Sequence, residues 1–241
     1  MATRDKEMSI LEHFEELRMR LFRAIIFLVL GILIGLLLAP PAIEYLLAPL
    51  ENIPQAISPT EPIEIIFKIA TVIGVILAMP FMLYQALQFV VPAMTPEEKK
   101  VVRIGVPAAA LSFAIGAIFA GMVLIPAAIG FMQGILQDVI EHQYTPERYL
   151  ALVGNLMLWT GLIFETPLVM YILAKIGVVT HEGFAKARKI VYIASALGAA
   201  IITPTTDIIN MILVMVPFMV LYEIGTWLAY LAQLNKERSN K

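Results

Sequence analysis

The chain has 241 residues, of which 60% are hydrophobic and only 15% are charged, and its net charge is −2. A water-soluble domain has about 45–50% apolar and about 25% charged residues. The composition therefore excludes an ordinary soluble protein and predicts that lipid surrounds most of the surface, while the absence of cysteine excludes disulfides and thiolate metal sites.

Six apolar segments are predicted to cross a bilayer as helices, since about 20 helical residues span its hydrocarbon core. The segments are Phe22–Leu38, Phe67–Val91, Ile104–Ile125, Leu150–Leu173, Ile190–Ile202 and Ile208–Ala232. The fifth is short and is joined to the sixth by a turn at residues 203–207, so this hairpin requires local thinning of the bilayer. The predicted fold class is an all-α membrane protein with one six-span domain over residues 1–241.

The basic residues predict how these helices are oriented. Of the 17 lysines and arginines, all except Lys68 and Arg148 lie before or at the very start of the first span, after the second, after the fourth or after the sixth. Short loops rich in lysine and arginine stay in the cytoplasm. We therefore expect both termini in the cytoplasm, with residues 39–66 and 126–149 forming a cap of loops outside it.

The first cytoplasmic segment, residues 9–21, has the pattern of an amphipathic helix. Ser9 and Glu12 match the capping box of a helix start, and apolar residues recur at three- and four-residue spacing. We expect this helix to lie along the membrane interface before the chain turns into the first span. The same periodicity also fits a solvent-exposed helix that only anchors the chain and is stabilised by a Glu16–Arg20 pair along the helix.

The loop after the second span places two adjacent carboxylates, Glu97 and Glu98, at the predicted membrane surface. Thr95 and Pro96 before them suit a helix start, because threonine caps helices and proline is favoured at the first helical position. Acidic residues are also favoured in the first turn. A purely structural role therefore accounts for this segment without a ligand.

Glu165 differs from the other acidic residues because it lies within the fourth predicted span. A carboxylate at membrane depth costs about 2.5–3.5 kcal/mol, so its side chain should face protein or water. Pro167 lies nearby and removes a backbone hydrogen bond from the helix. One interpretation is a protonated carboxyl bonded to a neighbouring helix; the one that we favour is a wet intramembrane groove that is open laterally to lipid.

Four further residues have simple structural interpretations. Asp207 is placed to cap the start of the sixth span, and Glu223 is expected near the inner interface, where it can reach water. Gly31 and Gly35 form the G-x-x-x-G pattern of closely packed membrane helices. The three histidines are scattered outside the spans, and no metalloprotease, phosphate-loop or hydrolase motif occurs, so the sequence predicts neither a metal nor a cofactor.

Five short motifs stand in register with the spans. They are His13-Phe14-Glu15-Glu16-Leu17-Arg18-Met19-Arg20-Leu21, Phe89-Val90-Val91-Pro92-Ala93-Met94 followed by Glu98, Phe164-Glu165-Thr166-Pro167, Pro204-Thr205-Thr206-Asp207, and Glu223-Ile224-Gly225. In this order they resemble the polytopic subunit of the twin-arginine protein translocase, the TatC family, whose patterns include H-L-x-E-L-R-x-R-L, F-x-x-P-A-L and F-E-x-P. The resemblance covers nearly the whole chain.

The resemblance implies a receptor that binds the twin-arginine signal peptides of folded precursor proteins. It implies assembly with single-span partner subunits, self-association in a larger receptor complex, and export driven by the proton-motive force. The expected host is the inner membrane of a bacterium, with the thylakoid membrane as the other host of the family. Neither enzymatic activity nor a nucleic-acid partner is implied.

The resemblance also implies roles for individual residues. The family's signal-peptide positions map onto Glu16 and Glu98, with Glu97 beside them and with Arg18 and Arg20 in the first motif. Its groove position maps onto Glu165. The family positions with a partner or structural role are Phe89, Pro92, Pro204 and Asp207.

The alternative from another functional class is a proton- or cation-coupled small-solute permease, in which Glu165 binds the ion. Such transporters are commonly built from internal repeats with paired broken helices, and the sequence shows neither feature. An intramembrane protease ranks last, because it requires a serine–histidine dyad or two facing acids within the core.

Overall fold

The structure, a computed structural model, describes residues 10–48, 55–90, 96–134, 145–202 and 208–239, and every regular element in these ranges is helical. The elements are α1 (Ile10–Leu47), α2 (Glu61–Val90), α3 (Pro96–Phe119), a π-helical turn (Ala120–Leu124), α4 (Ile125–Gly134), α5 (Pro146–Phe164), α6 (Thr166–Ile176), α7 (His181–Ile202) and α8 (Ile208–Ser239). The predicted all-α fold class is confirmed.

Five stretches of the described chain are long and apolar enough to cross a membrane. They are Leu11–Leu47, Glu61–Phe89, Arg103–Gly134, Pro146–Ile176 and Met211–Leu234. They coincide with the first four and the sixth of the predicted spans. The fifth predicted span lies in α7, whose first half is polar and whose apolar part, residues 190–202, is shorter than the roughly 20 residues that a span requires.

α1 joins the predicted interfacial helix to the first span in one continuous helix of 38 residues. The turn that we expected between residues 9–21 and the span is therefore absent. The physical reason is local, because residues 18–23 contain no glycine or proline and consist mainly of strong helix formers.

The loops predicted at residues 39–66 and 126–149 are shorter than expected, because helices extend into both. α1 continues through Pro40 and Pro41 and ends at Leu47, and the second loop contains α4 and the start of α5. Proline removes backbone hydrogen bonds from a helix interior. Here Ala39 is fully buried and the last turn of α1 packs against the core, which offsets that loss.

α1 and α2 cross at a very short distance through small residues. A Cβ atom added to Gly31 would lie 2.5 Å from the carbonyl oxygen of Gly74, and one added to Gly35 would lie 2.2 Å from that of Ala70. Only glycine allows the two backbones to approach so closely, which confirms the G-x-x-x-G prediction. The crossing also aligns the start of α1 with the end of α2.

α5 lies against α1, α2, α3, α7 and α8, and it carries many of the buried side chains of the described chain. Near its end, a Cβ atom on Gly161 would lie 2.4 Å from the ring of Phe113 in α3. α6 continues from this point and packs against α8. The junction of α5 and α6, which holds Glu165, is therefore enclosed by several helices.

Candidate functional site

Side chains from the start of α1 and the end of α2 form one connected group. Arg20 Nε donates to Glu16 Oε1 at 2.9 Å, and Arg20 Nη1 donates to Gln88 Oε1 at 2.5 Å. Gln88 in turn donates to the hydroxyl oxygen of Tyr84. The helices meet again nearby, where the His13 and Phe89 rings stack with centroids 4.5 Å apart. We call these six residues the α1–α2 cluster.

Glu16 is the acidic member of this cluster and is largely covered. Its side chain is 17% exposed and that of Arg20 is 15% exposed. Glu16 Oε1 accepts from both Nε and Nη2 of Arg20, whereas Oε2 is buried and has no hydrogen-bond partner in the described part of the chain. The carboxylate therefore retains unused acceptor capacity that is covered in this conformation, and a guanidinium is the group best shaped to bind both of its oxygens.

The structure describes the other residues that were predicted to bind the signal peptide in less detail. Arg18 is exposed and makes none of the contacts of the α1–α2 cluster. Glu97 and Glu98 lie in the first turn of α3, as the sequence predicted, but their side chains are outside the described part of the structure. Pro92 also lies outside the described residues, as do Pro204 and Asp207 near the start of α8.

Glu165 separates α5 from α6. Its backbone N–H lies 3.2 Å from the carbonyl oxygen of Leu162, and its own carbonyl accepts from Val169 at 3.0 Å. Pro167 occupies the first turn of α6, where its missing N–H is tolerated. The helix is thus interrupted at the proline that the sequence singled out.

The Glu165 side chain is only 3% exposed, and neither carboxylate oxygen has a hydrogen-bond partner within the described residues. Thr160 Oγ1 and Gln85 Oε1 are among the four other buried side-chain atoms that have no partner within the described residues. The interhelical hydrogen bond of the simpler interpretation is not present in this part of the chain. The carboxyl group is also closed to the outside in this conformation, so the lateral groove stays a prediction.

Two polar contacts between distant segments were not found from the sequence. Glu61, which lies within the outer loop predicted at residues 39–66, is 4% exposed and accepts from the backbone N–H of Ile57 at 2.7 Å and of Glu147 at 3.1 Å. A signal was available, because Ser58 and Glu61 match the S-x-x-E pattern of a capping box.

The second missed contact joins α7 to α8. Arg188 Nη2 donates to Glu223 Oε2 at 2.7 Å, and the Tyr192 hydroxyl donates to Glu223 Oε1. The Arg188 and Glu223 side chains are 42% and 41% exposed, so the prediction that Glu223 can reach solvent is consistent with its exposure. No local pattern links residues 35 positions apart.

Known proteins match this chain over most of its length. The model of the family described as Sec-independent protein translocase protein (TatC) matches residues 12–217. The protein of that name from Carboxydothermus hydrogenoformans is 33% identical over 232 residues, which cover 93% of this chain and 94% of that protein. The one from Aquifex aeolicus is 34% identical over 241 residues, which cover 97% and 100%.

A solved structure gives the same result at the level of the fold. The crystal structure described as the twin-arginine translocase receptor TatC aligns with a TM-score of 0.80 at 35% identity, over 92% of this chain and 99% of that one. The residues matched by the family model include the α1–α2 cluster and the α5–α6 junction.

Proposed function

Because this chain belongs to the TatC family of Sec-independent protein translocase proteins, we propose that Glu16 and Glu98 are the residues through which it binds twin-arginine signal peptides. The chain is a membrane protein and a translocase subunit of the twin-arginine export system. A receptor role agrees with the description of the solved structure that it resembles. The permease alternative receives no support.

The observation that carries this proposal is that the Glu16 carboxylate is largely covered and has one oxygen without a hydrogen-bond partner in the described part of the chain. A largely covered carboxylate with an unused oxygen binds a cation more strongly than an exposed one, because water competes less. Arginine presents a planar fork that matches a carboxylate, whereas lysine presents a point charge. The Glu16 site therefore has the chemistry that a twin-arginine motif requires.

Glu98 is proposed as the second carboxylate because it lies at the start of α3, the helix that follows α2 in the chain. α1 and α2 are held together at the α1–α2 cluster, and Glu98 follows Gln88 by ten positions, in the first turn of α3. Two carboxylates within reach of the same surface can each pair with one of two consecutive arginines. Glu97 is the neighbour that can replace Glu98 in this role.

The test is binding of a labelled peptide to the full chain in lipid nanodiscs. One peptide carries two consecutive arginines before an apolar segment, and the other carries two lysines. We expect preferential binding of the arginine peptide that Glu16→Ala reduces and Glu15→Ala does not, because Glu15 is exposed on the same helix. Equal binding of the two peptides, or equal effects of the two substitutions, contradicts the proposal.

We also propose the six-span topology with both termini in the cytoplasm, in which α7 is the fifth and shortest span. The basic residues support it, because 15 of 17 lie on the proposed inner side. Lys68 and Arg148, the two exceptions, lie near each other: Lys68 pairs with Glu147 at 3.6 Å. Glu61, in the first of the two loops proposed to lie outside, accepts a hydrogen bond from the backbone N–H of Glu147 in the second at 3.1 Å, so the two loops are in contact, as one cap requires.

Assembly with single-span partners and with further copies of the chain is proposed from the family, as is the use of the proton-motive force. An exposed apolar stripe on α7 supports a helical partner, with Ile190, Ile193, Leu197 and Ile201 between 64% and 80% exposed. The three- and four-residue spacing of this stripe suits packing against another membrane helix.

A further inference from the structure

We propose that Arg20 is an internal competitor of the signal peptide: it occupies Glu16 in the free protein and has to leave before a peptide arginine can pair with that carboxylate. This inference deepens the proposed function and rests on it. It also changes the role of Arg20, which the sequence resemblance grouped with the residues that bind the peptide.

The geometry of the pair carries the inference. Arg20 directs both Nε and Nη2 at the same oxygen, Glu16 Oε1. The other oxygen, Oε2, is buried and unpartnered within the described residues. A second guanidinium that approaches Glu16 thus meets one oxygen already taken by an arginine and another that is covered. Fork-to-fork pairing with the peptide requires this side chain to be released first.

α2 supplies a second acceptor for Arg20. Nη1 of Arg20 lies 2.5 Å from Gln88 Oε1, and Gln88 is held by a hydrogen bond to the Tyr84 hydroxyl. Arg20 can therefore give up Glu16 and keep its bond to Gln88. Displacement then breaks only part of its contacts, and the guanidinium is not left without a partner in a partly covered site.

Competition has a definite thermodynamic consequence. A ligand that binds only the released form of Glu16 has its affinity reduced by the fraction of molecules in that form. This reduction is the same for every cationic ligand, so it lowers all affinities equally and leaves their ratios unchanged. A residue that merely positions Glu16 has the opposite effect, because its removal weakens binding.

The experiment compares four full-length variants in nanodiscs by fluorescence anisotropy with a labelled peptide that carries two consecutive arginines. Arg20→Gln removes the competing cation. Arg20→Lys keeps the positive charge but replaces the planar guanidinium with an ammonium group that cannot donate two parallel hydrogen bonds. Arg23→Gln is the matched control, because it removes an equal charge from an exposed position of α1. The double substitution Glu16→Gln with Arg20→Gln tests whether any gain passes through Glu16.

We expect Arg20→Gln to tighten binding by at least about fivefold, the factor that corresponds to the upper value for an exposed ion pair, because the Glu16–Arg20 pair is largely covered. Arg20→Lys should lie between this variant and the unchanged protein, Arg23→Gln should change affinity by less than about twofold, and the double variant should show no gain. Weaker binding in Arg20→Gln, or a gain no larger than that of Arg23→Gln, overturns the competitor role while the proposed function stands. Unchanged peptide binding in the Glu16→Ala variant, measured alongside these four, overturns both the competitor role and the proposed function.

Discussion

The Glu61 carboxylate accepts a hydrogen bond from the backbone N–H of Glu147 at 3.1 Å, across 86 positions of sequence. The same side chain accepts from Ile57, just before α2 begins. One buried carboxylate thus ties the start of α2 to the start of α5. The neighbouring Lys68–Glu147 pair at 3.6 Å is more exposed and contributes less.

Glu61→Ala is expected to lower the thermal stability of the protein, because it removes the acceptor of two backbone N–H groups, those of Ile57 and Glu147. The matched control is Glu64→Ala, one turn further along α2, where the side chain is exposed. Thermal unfolding in a mild detergent measures the difference. Equal midpoints for the two variants would show that Glu61 does not hold these segments together.

Gly31→Ala should destabilise the α1–α2 crossing, because its Cβ would lie 2.5 Å from the carbonyl oxygen of Gly74. Overpacking of this kind typically costs about 1–3 kcal/mol. Gly121→Ala is the control, since a Cβ there meets nothing within 4 Å. Denaturant or thermal unfolding of both variants tests this, and equal stability of the two would contradict the close crossing.

Glu16→Ala and Glu98→Ala should each weaken binding of the two-arginine peptide while the fold stays intact. Loss of one partner from a desolvated charge pair costs about 2–5 kcal/mol, whereas loss from an exposed pair costs under about 1 kcal/mol. Site-specific crosslinking of the peptide measures the effect. Unchanged crosslinking in both variants, and in the triple variant that includes Glu97→Ala, would remove the assignment.

The proposed topology is testable because the chain has no native cysteine. Single cysteines at Glu51, Gln143 and Thr205 should react with an impermeant thiol reagent added to intact cells. Cysteines at Lys99, His181 and Asn240 should react only after lysis. Labelling of position 143 from the inside would reject the six-span arrangement.

Glu165→Gln should preserve folding but impair transport, with early peptide recognition largely unchanged because that step belongs to Glu16 and Glu98. Glu165→Leu should be at least as stable as the unchanged protein. The reason is that both oxygens of the 3% exposed carboxyl group lack a partner within the described residues, and an unsatisfied buried polar group costs about 1–3 kcal/mol.

The measurements for Glu165 are thermal unfolding together with export of a folded substrate by membrane vesicles. Full transport by the Leu variant would mean that the carboxyl group has no part in transport. Loss of folding in the Gln variant would instead indicate an essential structural hydrogen bond, and either result would count against the predicted groove.

Hydropathy alone predicted the helical membrane fold, because a segment in lipid must satisfy its backbone hydrogen bonds internally and a long apolar run can do so as a helix. The same reasoning located five of the stretches that the structure shows to be long and apolar enough to span. Glu165 also stood out without a structure, since a carboxylate in an apolar run is costly wherever the chain folds.

Only the tertiary structure decided which polar groups of different helices meet. Arg20 lies 68 positions from Gln88, and Glu61 lies 86 positions from Glu147, so no periodicity could connect them. Their contacts follow from the close approach of α1 to α2 and from the packing of α5 against α2. The sequence determined which segments are helices and which side chains are charged. The packing of those helices determined that Arg20, which pairs with Glu16 on its own helix, also reaches Gln88 of α2, because a contact between helices depends on their distance and rotation.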